Sequence, residues 1–96
     1  MPPSAANIST MNRLAREVND LIKTNARLNE KIVTLQGKIN QRTLALHRAT
    51  SESTKRSELN MINQYNREID QCRVQQARNV TQIETKKAEY YRLESR

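Results

Sequence analysis

Lys23, Arg27, Lys31, Lys38, Arg42, Arg48, Lys55 and Arg56 stand against only Glu30 and Glu52 across the middle of this 96-residue chain. Cations at that density can contact phosphates without sequence preference, or an acidic protein or lipid surface, and salt weakens such contacts. Arg27, Lys31 and Lys38 share one broad sector of a helix. The aromatic rings that would stack single-stranded bases are missing from this stretch, because Tyr65, Tyr90 and Tyr91 lie downstream. Other reactive groups are few. His47 has no Cys, Asp or second His at ligand spacing, so no metal site is expected. Cys72 is the one cysteine, which rules out an internal disulfide. It reads as a small buried hydrophobe; two copies of it could cross-link only across a parallel, in-register seam. Glu68 and Asp70 point to different faces of a helix, and no glycine-rich phosphate loop is present. Neither enzyme activity, a cofactor nor a small-molecule substrate is expected. Thr50, Ser51, Ser53, Thr54 and Ser57 lie beside Arg48, Lys55 and Arg56 and could accept phosphate, although a plain joint is the simpler reading.

The elements that carry these groups are helices. The sequence has no Phe or Trp, one Gly, and two Pro that stand together at Pro2 and Pro3. Turns therefore have little chemistry to work with, and no compact core can be filled. Met11, Val18, Asn25, Ile32, Ile39 and Leu46 recur every seventh residue as an a column. Leu14, Leu21, Leu28 and Leu35 form the d column, which continues into Arg42 and Ala49. Apolar residues three and four apart keep one face of a helix turned toward a partner helix. A second stripe follows through Met61, Tyr65, Ile69, Cys72, Gln76, Val80, Ile83, Lys87 and Tyr91, an 11-residue repeat. Its period lies slightly above that of the α-helix, so its supercoil should straighten or reverse. Ile22, Val33 and Leu44, also 11 apart, add a thinner stripe outside the first seam.

Residues 11–39 resemble a leucine zipper, with Asn25 at the polar a position found in that family. The resemblance implies a parallel two-stranded coil in which Asn25 bonds its counterpart and fixes the register. The basic helix that precedes the zipper in the DNA-binding members is absent, since MPPSAANISTMNRLAR stands in its place. The g residues Glu17, Lys31 and Lys38 would meet the e residues Ile22, Gln36 and Thr43 of an identical chain and form no ion pair. A larger assembly fits that pattern better than a free homodimer.

Four segments are expected: an extended lead-in at 1–9, a zipper-like helix at 10–49, a Ser/Thr-rich joint at 50–57 and a second coiled-coil helix at 58–96. The fold class is all-α, a long coiled-coil helix with seams at 11–46 and 61–91. A continuous helix of about 85 residues is the first reading; the alternative is an antiparallel helical hairpin bending near 50–55. The expected oligomer interface comprises Met11, Leu14, Val18, Leu21, Asn25, Leu28, Ile32, Leu35, Ile39, Leu46, Ile69, Val80 and Ile83. No apolar run reaches the roughly 18 residues of a membrane span, and residues 1–10 lack signal-peptide character. An intracellular site, or the inside of a particle assembled there, is the default. The function read from these features is structural: a scaffolding subunit binding copies of itself or other chains in a larger complex such as a particle, capsid or filament. A basic helical rod associated non-specifically with nucleic acid is the alternative.

Overall fold

The computed structural model describes residues 2–95; Met1 of the expected lead-in and Arg96 of the expected second helix lie outside the described residues. The protein is 93% helical, with two long helices packed against each other. Helix α1 spans Ala5–Arg48 and helix α2 spans Glu52–Glu94. The first opens five residues before Thr10 because Ser4 supplies its cap. The Ser4 Oγ accepts the Asn7 amide at 3.1 Å, and the Ser4 carbonyl accepts the Ile8 amide at 2.9 Å. Ser9 and Thr10 lie inside the helix, where the Thr10 hydroxyl donates to the Ala6 carbonyl.

Of the two arrangements open to the sequence, the chain takes the hairpin. The continuous helix is interrupted at residues 49–51, which the expected joint at 50–57 overlaps only in part. The bend uses no glycine and no positive φ among the described residues. Its chemistry is capping. The Ala49 amide reaches back to the Leu46 carbonyl at 3.2 Å, and His47 and Arg48 sit at the negative end of the α1 dipole. Ser51 Oγ then accepts the Thr54 amide at 3.2 Å, and Glu52 occupies the positive first turn of α2. The serine and threonine cluster thus starts a helix rather than loosening one. Ser51→Ala is expected to lower stability by about 1 kcal/mol, read as a drop of several degrees in the thermal midpoint.

Interhelix contacts fall into two compact units, Leu28–Val74 and Met1–Arg27 with Gln75–Arg96. In Leu28–Val74 the helices run antiparallel through the bend. Ile32 and Leu35 of α1 bury themselves against Ile69 and Cys72 of α2, with Leu28, Ile39 and Tyr65 packed around them. In the other unit Met11 and Leu14 pack against Leu93, with Tyr90 beside them.

Along α2 the inward positions are Tyr65, Ile69, Cys72, Gln76, Asn79, Ile83, Lys86, Tyr90 and Leu93, alternately four and three residues apart. This is a heptad seam. It coincides with the 11-residue stripe as far as Gln76 and then departs from it: Asn79 replaces Val80, Lys86 replaces Lys87 and Tyr90 replaces Tyr91. Val80 and Tyr91 are left exposed. A heptad matches the period of the α1 seam, so both seams can stay in contact, whereas a stripe of longer period would rotate away from its partner.

Gly37 sits within α1, and a Cβ placed there would meet nothing within 4 Å. Glycine inside a helix is less favourable than alanine by roughly 0.5–1 kcal/mol. Gly37→Ala should therefore raise stability by about that amount in a urea titration.

Candidate protein-interaction faces

Polar residues in the two seams meet one another rather than water. In the unit of Met1–Arg27 with Gln75–Arg96, Asn79 is 3% exposed, and its Nδ2 donates to Asn25 Oδ1 at 2.8 Å. Asn25 Nδ2 donates to the Gln76 carbonyl at 3.3 Å, and Gln76 Nε2 donates to the Asn25 carbonyl at 3.2 Å. Gln75 Nε2 completes the layer by donating to Asn79 Oδ1. The zipper resemblance paired Asn25 with its counterpart in a second chain; here its partners are Asn79 and Gln76 of the same chain. Such a layer penalises every register in which either amide faces a leucine.

Glu17, expected to face a second chain, accepts Lys86 Nζ at 3.2 Å and Arg13 Nη1 at 2.9 Å. The Lys86 hydrogen bond, together with the Lys86 and Arg13 charges, holds the Glu17 carboxyl below its ordinary 4.5 despite an opposing effect of desolvation. A carboxyl whose pKa is depressed by folding stabilises the fold above its unfolded pKa and loses that contribution as pH falls through the folded value. The thermal midpoint should therefore drop as pH is lowered below 4.5. Glu17→Gln should blunt the drop; an unchanged acid profile in that variant would detach Glu17 from it.

In the unit Leu28–Val74, Arg42 Nη1 lies 3.4 Å from Glu58 Oε1, and the buried Glu58 Oε2 has no hydrogen-bond partner. Lys38 Nζ stands 5.7 Å from the centroid of the Tyr65 ring. Lys55 pairs with Glu52 at 3.5 Å. Three of the middle cations are thus engaged within the chain, while Lys23, Arg27, Lys31, Arg48 and Arg56 are exposed.

Of the residues assigned to an oligomer interface, Met11, Leu14, Val18, Ile32, Leu35 and Ile69 are buried within the single chain. Leu21, Asn25, Leu28, Ile39, Leu46 and Ile83 are half-buried, and Val80 is exposed. The apolar groups that remain outward are different ones. Ile22 is 48% exposed in its unit, and Val33 and Leu44 are 60% and 55% exposed in theirs. These are the thin stripe of the sequence. Asn79, Lys86, Tyr90 and Leu93 carry seam contacts that the sequence reading did not assign. The available signal was their seven-residue spacing from Cys72 and Ile69.

A cleft of about 170 Å³ opens beside the seam in the unit of Met1–Arg27 with Gln75–Arg96. Ala15, Val18 and Asn19 line one wall and Lys87, Tyr90 and Tyr91 the other, over a floor of Leu14. The Tyr90 and Tyr91 rings meet edge to face at 5.7 Å, which steadies the exposed Tyr91 at the rim. His47 is exposed and Cys72 is buried among aliphatic side chains. Among the described residues no three His, Cys, Asp or Glu side chains are gathered as a metal site. No helix among them is long and apolar enough to cross a membrane. No protein-family model matches the chain, and no curated protein or solved structure matches it significantly.

Proposed function

We propose that this chain is a structural, scaffolding subunit that mediates protein–protein assembly within a larger complex. The observation that carries the reading is the outward apolar set Ile22, Val33 and Leu44, which stays exposed after the interhelix seam has closed. Burying a side chain of this size contributes about 1.5–3 kcal/mol, and exposed apolar residues in register along one helix suit a helical partner. The Asn25–Asn79 layer supports a fixed scaffold, because it favours one register of the helices in its unit over slipped ones. The reading includes no catalytic step. The intracellular location and the particle, capsid or filament setting belong to the same proposal.

The test is the mass of the chain in an extract of its native cells, measured before and after nuclease treatment and in low and high salt. The assembly reading expects a mass many times 11.2 kDa that nuclease leaves intact. A free species of 11.2 kDa overturns it. A large species that collapses with nuclease and with salt favours the nucleic-acid alternative through Lys23, Arg27, Lys31, Arg48 and Arg56.

A further inference from the structure

We infer that the cleft beside the seam, in the unit of Met1–Arg27 with Gln75–Arg96, is the surface on which a second copy of this chain docks. The inference rests on the assembly reading above and names its first contact. Ala15, Lys87 and Tyr91 line the cleft. Ile8 and Ile22 stand seven residues either side of Ala15, and Val80 stands seven before Lys87, so each extends its wall along the same helix face. Ile8, Ile22, Val80 and Tyr91 are between 45% and 61% exposed. The opposite side of the same seam is unlike it. There Glu17, Asp20, Leu21, Gln82 and Lys86 line a groove that the Glu17–Lys86 ion pair closes with charge.

Charge decides the occupant. A chain of net charge +7 repels its own copy unless the two meet on a face cleared of excess cations. The cleft wall of α2 is such a face. Its one lysine, Lys87, makes no ion pair among the described residues, and Glu84 and Glu94 bracket it one turn and two turns away. In a two-fold pair each surface meets itself, so a face that carries both signs along one row offers Lys87 the carboxylates of the other copy. An acidic partner would find no surplus of cations on this α2 wall. The apolar residues supply the attraction, and the remaining charges of the two chains supply a repulsion that salt screens.

The experiment is light scattering of the purified chain across a concentration series in low and high salt. The expected result is a species of twice 11.2 kDa whose dissociation constant falls as salt rises. Ile22→Asp should return the mass to 11.2 kDa with helix content by circular dichroism unchanged, because Ile22 lies outside the seam. Lys87→Glu should weaken the dimer, and Glu84→Lys combined with Lys87→Glu should restore it. Val33→Asp, in the other unit, should leave the dimer intact. A wild-type chain that is monomeric at every concentration overturns the inference, as does a dimer that Ile22→Asp does not disturb. A monomer in isolation that still enters a large nuclease-resistant complex in the native extract would refute this contact and leave the assembly reading standing.

Discussion

Leu14→Ala is expected to lower the unfolding free energy by about 2–5 kcal/mol, the range for deleting a fully buried leucine side chain. Leu14 is 2% exposed and lies in the cluster with Met11 and Leu93, with Tyr90 packed against it. The loss has two parts: the transfer free energy of the removed carbons, and the contacts forfeited around the space they leave. In a two-helix layer few neighbours can move into that space without opening the seam. Set against a total stability on the order of 5–15 kcal/mol for a small domain, the change should move the urea midpoint far toward zero. The comparison is Leu44→Ala, which removes the same atoms from a side chain 55% exposed. It should alter stability by no more than about 0.5 kcal/mol. Equal effects at the two leucines would mean that the seam identified here does not hold the fold, and a larger effect at Leu44 would place the main contact on the outer stripe.

That contrast marks what the residue pattern could convey. The a and d columns of α1 name the face that must be buried, and Met11, Leu14, Val18, Ile32 and Leu35 are buried on it. A heptad specifies a face, however, and is silent on whether the covering helix belongs to the same chain. The information that decides this is pairwise. Asn25 and Glu17 on α1 are matched by Asn79 with Gln76 and by Lys86 on α2. Taken alone, Asn79 and Lys86 read as solvated residues, while the apolar Val80 and Tyr91 beside them suggest a seam one position along. Ser51 hid the bend in the same way. Its hydroxyl caps α2, and the turn needs no left-handed residue, so the scarcity of turn residues that favoured a continuous helix does not prevent the fold-back. The outer stripe of Ile22, Val33 and Leu44 was legible as a pattern, but which stripe remained outside depended on the fold-back.

Asn25 and Asn79 provide the test with the sharpest sign change. Asn25→Leu would leave the Asn79 Nδ2, in a residue 3% exposed, facing a hydrocarbon with its acceptor gone. A buried donor stripped of its partner destabilises by about 1–3 kcal/mol. Asn79→Leu removes the donor from Asn25 Oδ1 and the acceptor from Gln75 Nε2, and should fall in the same range. The double variant removes both asparagine amides and leaves Gln76, whose Nε2 can still donate to the backbone carbonyl of residue 25, beside two leucines. Its stability should equal or exceed that of the parent chain, as when a buried polar pair is replaced by hydrocarbon of similar shape. The coupling in this cycle should therefore approach the upper end of the roughly 0.5–3 kcal/mol seen for residues in contact. Strict additivity would show that the two asparagines do not meet, whatever each contributes separately. The stability gained should come with lost discrimination. With only Gln76 and the Glu17–Lys86 pair left to oppose a seven-residue slip, α2 can shift along α1 at lower cost. Extra amide resonances in the double variant, absent from the parent, would register that slip. A scaffold needs one surface more than it needs the last increment of stability, and the buried asparagine pair, with Gln76 and the Glu17–Lys86 pair, separates registers that hydrocarbon alone leaves nearly equal.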